Sequence, residues 1–313
     1  MAKKYDVIII GAGPAGLTAG IYCARAKLKT LVLEKTAVGG QLLLYGEVIE
    51  NYPGFPDGTS GFELVEKMKK QAQRFGIELL TGEISNINFQ YLADGYQVAT
   101  NTGQAYHARA IIIATGANPK QLGVKGEIEL KGKGVSYCAT CDGPLFKNKE
   151  VVVVGGGDKA IEEAIYLTRF VKRLTIVHRR DDLRAVKILQ EKLSDNKKID
   201  KKLSYIVTKI LGVDRVNGVR VKNVKTGKEE EIPASGVFIF VGVDPSTNFL
   251  KKNNMLDDKG FIITKENMET SVNGVFACGD ARKNILKQVI VSCAEGAIAA
   301  YSCYHYIEGL LKD

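Results

Sequence analysis

At 313 residues, 45% of them hydrophobic, the chain can bury a large core and is long enough for about two domains of roughly 100–200 residues, which excludes a single small module. Its 44 Lys and Arg against 35 Asp and Glu leave a formal charge of +9, yet both signs interleave in stretches such as Lys187–Lys202 and Lys222–Glu231, which read as solvated faces, and no basic motif interleaved with aromatics favours nucleic acid. No apolar run approaches the roughly 18 residues that cross a bilayer, and a strand beginning at Tyr5 leaves no place for an export signal, so the expected setting is cytoplasmic, with no membrane.

Tyr5–Ile10 predicts a buried strand, after which Gly11-Ala12-Gly13-Pro14-Ala15-Gly16 forms a glycine turn opening a helix over Leu17–Ala26. A second strand over Lys29–Leu33 ends at Glu34. Residues 80–110 alternate apolar positions around turns at Gly95 and Gly103, which predicts a small antiparallel element. Ile111–Ile113 predicts a short buried strand that runs through Ala114 and Thr115 to a turn at Gly116. Cys138-Ala139-Thr140-Cys141-Asp142 follows, shortly before a strand over Val151–Val154. There Gly155-Gly156-Gly157-Asp158-Lys159-Ala160 repeats the first turn, leading to a helix over Ile161–Phe170 and a strand over Arg173–Val177 that runs into His178-Arg179-Arg180. A strand over Val237–Val241 and a turn at Gly242 mirror the segment ending at Gly116. The Ala-rich stretch Val289–Tyr306 predicts a long helix that closes the first domain.

Two strand, glycine turn, helix and strand units in register predict an α/β chain with two Rossmann-like dinucleotide-binding domains, the second inserted into the first. The expected boundaries are 1–116 with 245–313 for the outer domain and 117–244 for the inserted one. In such a turn the first glycine permits the tight bend, the second lets backbone approach a pyrophosphate, and the third lets helix pack on strand. Gly11, Gly13 and Gly16 fill these places in the first unit; Gly155, Gly157 and Ala160 fill them in the second.

The residue ending the second strand selects the adenosine ribose. Glu34 would bind a free 2′-hydroxyl and repel a 2′-phosphate, which predicts an unphosphorylated adenosine cofactor at the first site. His178 holds the same place after Gly155, followed by Arg179, Arg180 and, one helical turn on, Arg184. Guanidinium groups there suit a 2′-phosphate and predict NADPH; the alternative is a merely solvated arginine loop, and His178 is given a secondary part.

Six cysteines are too few for a disulfide scaffold, and in a reducing compartment a Cys-x-x-Cys is catalytic or metal-binding. Cys138 and Cys141 can close a disulfide, a nearby helix start or charge can lower one thiol's pKa, and Asp142 can shuttle a proton to a leaving thiolate. Structural zinc needs about four ligands. Cys23, Cys278, Cys293 and Cys303 make no second pair and His107 and His305 are isolated, so no metal is expected and these side chains read as packing or surface.

With the glycine turns, Cys138-Ala139-Thr140-Cys141-Asp142-Gly143 and His178-Arg179-Arg180-Asp181 in this order, the chain closely resembles the low-molecular-weight thioredoxin reductases of bacteria and archaea over nearly its whole length. Gly39-Gly40-Gln41-Leu42, Glu50-Asn51-Tyr52-Pro53-Gly54-Phe55, Ala114-Thr115-Gly116 and Gly274 to Asp280 extend the likeness. The resemblance implies a homodimeric enzyme with an FAD domain split around an NADPH domain, passing electrons from NADPH through FAD to Cys138 and Cys141 and then to thioredoxin or a thioredoxin-like protein. It places Gly40, Gln41, Asn51, Ala114, Gly116 and Gly279 near FAD, with Asp280 on the ribityl chain and Gln288-Val289 starting a helix that points at the isoalloxazine. It adds Asp158 to the NADPH turn and makes Cys141 the thiol facing the flavin, Cys138 the thiol attacking the partner, and Asp142 the acid.

The resemblance further implies a rotation of the NADPH domain about hinges near Gly116 and Gly242. Three positions depart from the pattern: Lys159 where Ser or Thr is common, Lys287 where Arg usually precedes the Gln, so that a guanidinium contact to cofactor or partner becomes a point charge, and Tyr52 where a tryptophan is often found. Rival readings are a ferredoxin-fed flavin thioredoxin reductase, against which Arg179 and Arg180 argue, a dithiol oxidase using oxygen, and a non-enzymatic flavin redox sensor.

Overall fold

A computed structural model describes residues 3–44, 49, 51–92, 95–250 and 254–311; the side chains of Leu44, Leu92, Thr140 and Cys141 fall outside the described set. The chain opens with β1 (Lys3–Ile10), α1 (Pro14–Arg25), β2 (Thr30–Glu34), α2 (Gly61–Arg74), β3 (Glu78–Thr81), β4 (Ile84–Leu92), β5 (Gly95–Thr100), β6 (Ala105–Ile113) and β7 (Ala117–Pro119). It continues through β8 (Val135–Ser136), α3 (Ala139–Asp142), β9 (Glu150–Val154), α4 (Asp158–Leu167), β10 (Arg173–His178), α5 (Lys187–Ser194), β11 (Ile199–Leu203), β12 (Tyr205–Gly212), β13 (Val216–Asn223), β14 (Glu229–Pro233), β15 (Gly236–Ile239) and β16 (Val243–Pro245). It closes with β17 (Val275–Ala277) and α6 (Val289–Leu310). Two compact units result: Met1–Leu43, Val48–Asn118 and Asp244–Asp313 form one, Leu44–Glu47 and Pro119–Val243 the other.

In the first unit the strand order is β3-β2-β1-β6-β5-β4, with β17 also on β6. Strands β3, β2, β1, β6 and β17 are parallel, and β4 and β5 run antiparallel to their neighbours. The parallel strands are near-continuous apolar runs because both faces are covered; Val7, Ile8, Ile9, Ile111, Ile112 and Ile113 have no exposed surface. β6 serves two partners, its first half pairing with β5 (Tyr96 opposite Ala108) and its second with β17 (Ile111 opposite Val275). The helix expected from Leu17 begins earlier, at Pro14, because proline's missing N–H costs nothing in a first turn. Small residues then let α1 and α6 touch: a Cβ on Gly296 would collide with the Ala15 carbonyl oxygen. α2 starts from Ser60, whose Oγ accepts from Glu63 N–H at 3.1 Å, and it buries Leu64, Val65 and Met68.

The second unit repeats the plan with an all-parallel sheet ordered β11-β10-β9-β15-β8. Its helix ends sooner than expected, at Leu167, where Thr168 Oγ1 donates to the Ile165 carbonyl at 2.6 Å. A three-stranded antiparallel sheet, β12-β13-β14, lies where the sequence showed only interleaved charge. Arg220 Nη2 pairs across the strands with Glu231 at 2.9 Å, Glu230 reaches Lys202 of β11 at 2.7 Å, and Val219 and Val221 are fully buried. The fold is the duplicated dinucleotide-binding α/β architecture that the two glycine turns predict.

Candidate functional site

Strand order reverses in the first unit between β1 and β6, the place where open α/β sheets bind ligands at their carboxyl ends. Gly11 leaves β1 with φ +103°, and a Cβ there would strike the Ala114 carbonyl. Gly16 packs so tightly on Gly11 that a Cβ would strike the Gly11 carbonyl. Gly13 is different, for a Cβ on it would meet nothing within 4 Å among the described residues. It is the N-cap of α1, no side chain caps the helix and no acid stands in its first turn, so the opening amides face this open side with their partial positive charge. Glu34 is fixed by two backbone donors, Ala12 N–H at 2.8 Å to Oε2 and Thr36 N–H at 3.0 Å to Oε1. A buried Thr115 Oγ1 beside Ala114 and Gly116 has no hydrogen-bond partner among the described residues. An uncapped helix start, an open glycine face and a spare buried hydroxyl fit a bound dinucleotide.

Other expected residues of this unit gather around the same strand ends. A Cβ on Gly40 would lie 3.5 Å from Gly13 Cα, and Gln41 Nε2 donates to the Ala117 carbonyl. Asn51 Nδ2 donates to Gln288 Oε1 at 3.0 Å, joining two residues far apart in sequence, and Val289 is the first residue of α6 behind Gln288. Asn51–Pro56 line an open cavity of about 550 Å³, and Glu50 of that motif falls outside the described residues. Gly279 and Asp280 form a single turn directly after β17, with the Cys278 N–H donating to the Ile113 carbonyl at 3.0 Å.

In the second unit the corresponding reversal lies between β9 and β15. Gly155 and Ala160 pack together, whereas a Cβ on Gly157 would meet only the Arg184 Nη2, at 3.9 Å. Gly157 caps α4 with no side-chain bond, and Asp158 Oδ1 accepts from Val186 N–H at 2.8 Å, fixing the loop that carries the arginines. Arg184 N–H donates to the Gly156 carbonyl at 2.6 Å. Arg179, Arg180 and Arg184 are exposed, and among the described residues no carboxylate pairs with them. His178 is buried with its ring against the turn; a Cβ on Gly156 would sit 2.5 Å from Nδ1. Burial first, then the charges of Arg184, Arg180 and Arg179, hold its pKa below the ordinary value.

Cys138 is buried and disulfide-bonded. Its N–H donates to Ser136 Oγ at 3.0 Å, and the Ser136 hydroxyl donates to the Cys138 carbonyl at 3.0 Å. It stands at the start of α3, at whose far end Asp142 N–H donates to the Cys138 carbonyl at 3.3 Å. Ala139 belongs to the same apolar cluster as Ala160, Ile161 and Ala164, so the dithiol turn is seated on the helix of the second glycine turn.

The residues 5–296 match the family model described as pyridine nucleotide-disulphide oxidoreductase. The thioredoxin reductase of Bacillus subtilis (strain 168) is 47% identical over 311 residues, covering 98% of this chain and 96% of that protein. The solved thioredoxin reductase of Lactococcus lactis superposes with TM-score 0.94 at 42% identity, covering 97% of this chain and 99% of that one. That of T. acidophilum gives 0.91 at 37% identity, with coverages of 97% and 98%. The chain belongs to the pyridine nucleotide-disulphide oxidoreductase family. Within it the chain stands with the low-molecular-weight thioredoxin reductases, and its activity is that of a thioredoxin-disulfide reductase.

In this reductase the remaining cysteines 23, 278, 293 and 303 are free, buried thiols. Burial raises the pKa of Cys278, Cys293 and Cys303 above the usual thiol range, which leaves them protonated and inert. Tyr52 is pushed up to about 12, mainly by burial, and its hydroxyl donates to Cys293 Sγ at 3.7 Å. At Lys287, where the family pattern has Arg, the ammonium donates to the Asp280 carbonyl at 2.9 Å. Sequence reasoning passed over a buried ion pair, Arg282 Nη2 to Glu295 Oε1 at 2.8 Å. It also passed over Glu127, which is buried and accepts from Leu122 N–H, Gly123 N–H and the Tyr137 hydroxyl at 2.6–2.8 Å. No helix among the described residues is long and apolar enough to cross a membrane.

Proposed function

We propose that this reductase uses NADPH at the second unit and FAD at the first, and reduces thioredoxin or a thioredoxin-like protein through Cys138 and Cys141. The observation that carries the reading is a disulfide-bonded Cys138 seated on the helix of a dinucleotide turn whose arginines pair with no carboxylate among the described residues. Bound NADPH and FAD would supply the hydride and electron chemistry. Gly13 and the α1 amides would hold the FAD pyrophosphate, Glu34 the free ribose hydroxyl, and Asp280, Asn51 and Gln288 the flavin side. Gly157 would admit the NADPH pyrophosphate, with Arg179, Arg180 and Arg184 gripping the 2′-phosphate.

Within the reaction the chain's own part is thiol exchange. Cys141 is the proposed partner of Cys138 in the resting disulfide. Once that bond is reduced, the Cys138 thiolate attacks one sulfur of the partner's disulfide and the other sulfur leaves, taking a proton that Asp142 is suited to deliver. Cys141 then attacks Cys138, releasing the reduced partner and restoring the resting bond. The family resemblance supports domains at 1–116 with 245–313 and at 117–244, a homodimer, hinges near Gly116 and Gly242, and a cytoplasmic setting, all parts of this proposal.

Anaerobic addition of NADPH or NADH to the purified protein, followed by thioredoxin, tests it. NADPH-selective flavin bleaching with turnover in wild type, and bleaching without turnover in Cys138→Ser, is expected. No bleaching by either nucleotide would refute the NADPH assignment and favour a ferredoxin-fed enzyme.

A further inference from the structure

The single turn Gly279–Ala281 follows β17, and Gln288 leads into α6. Three charged side chains bind these segments together. Glu295 accepts from the Gly279 N–H at 2.8 Å through Oε2 and from Arg282 Nη2 at 2.8 Å through Oε1. Arg282 donates from Nη1 to Thr264 Oγ1 at 2.7 Å. Lys287, immediately before Gln288, donates to the Asp280 carbonyl at 2.9 Å and to Asn284 Oδ1 at 3.2 Å, with its ammonium 4.3 Å from the Phe261 ring centre.

For packing alone this is a costly arrangement. The Arg282 and Glu295 side chains are only 15% and 6% exposed, and the buried Arg282 Nε finds no acceptor among the described residues. Apolar residues of similar volume would serve stability at least as well. What charge adds is direction. The carboxylate fixes an N–H of the turn and the lysine fixes one of its carbonyls, while Gly279 is pressed against the start of α1, where its Cβ would lie 2.9 Å from Ala15 Cβ. The turn is thus held from behind by charge and in front by the helix that opens the first glycine site.

We infer that Glu295, Arg282 and Lys287 form an internal charge clamp that positions the Gly279–Asp280 turn and Gln288 for FAD, acting through those residues rather than touching the reacting atoms. This rests on the reading that the first unit binds FAD. Glu295→Gln keeps the shape and an acceptor for Gly279 but removes the charge that holds Arg282. Titrating apoprotein with FAD by flavin fluorescence, alongside the apoprotein melting temperature and the midpoint potential of bound flavin, separates positioning from packing. Expected are FAD binding weaker by about tenfold, a coupling typical of one hydrogen-bonded network, a shifted flavin potential, and partial rescue by Glu295→Asp. Lys287→Gln, on the half-buried side, moves the same readouts less and serves if Glu295→Gln does not fold. Lower melting temperatures with wild-type FAD affinity and potential would overturn the clamp. A wild-type protein that takes up no FAD would be a different result, removing the parent reading and the clamp with it.

Discussion

A single methyl group tests the first nucleotide site. At Gly13 the backbone is extended (φ −75°, ψ −176°), a conformation alanine adopts, and its Cβ would meet no protein atom within 4 Å. Gly13→Ala therefore costs the fold little, within about 1 kcal/mol as an N-cap change. If a pyrophosphate lies against that open face, the methyl group overlaps it, and an overlap of this kind costs about 1–3 kcal/mol. At about 1.4 kcal/mol per factor of ten, FAD binding weakens by about five- to 140-fold. Gly16→Ala gives the opposite result: its Cβ strikes the Gly11 carbonyl, so the loss appears in the melting temperature of the apoprotein. Apoprotein melts and FAD titrations on both variants decide the matter. Binding by Gly13→Ala within about twofold of wild type would refute the assignment of that face to the phosphates.

Three further outcomes follow from the second unit and from α2. Arg180→Ala raises KM for NADPH by about ten- to a hundredfold and leaves KM for NADH unchanged, the effect of losing one charge-assisted bond to a phosphate; equal effects on both nucleotides would argue against 2′-phosphate recognition. His178 has a depressed pKa in the folded state, so its contribution to stability is present above the ordinary histidine value of 6.5 and is lost as pH falls below it. Melting temperature between about pH 7.5 and about pH 5.5 falls less steeply in His178→Asn than in wild type, and parallel slopes would count against the assignment. Ser60→Ala removes the N-cap bond to Glu63 and lowers unfolding free energy by about 1 kcal/mol in urea, with FAD affinity unchanged.

Both glycine turns were legible because their demands are local: a strand end, a bend, an open backbone and a helix start follow one another within a few residues. Glu34 ends the second strand of its unit and the arginines directly follow His178, which ends the corresponding strand, so these positions are local as well. Pairings across the chain were not. Nothing in one sequence joins Asn51 to Gln288, or Arg282 to Glu295, since each bond exists only after α6 has packed on α1. The interleaved charge of Lys222–Glu231 reads as a solvated face, which hides β14 and the end of β13, and no local signal marks the buried Glu127. One missed signal was present: Ser60 followed three residues later by Glu63 marks the start of α2.

The divided partnership of β6 has a consequence for how the chain is made. Its second half waits for β17, which leaves the ribosome only after the whole of Pro119–Val243 has been synthesised. Until then one flank of the strand offers an open edge of backbone donors and acceptors to any neighbouring chain. Prior folding of the inserted unit shortens that exposure, because its ends meet where Lys120 N–H donates to the Gly242 carbonyl at 2.9 Å, bringing the two halves of the outer sheet to a common point and reducing the entropy of closing them. Order of synthesis thus favours a reductase that finishes its inner unit first, and a substitution that slows the inner unit would show itself as aggregation through the outer one.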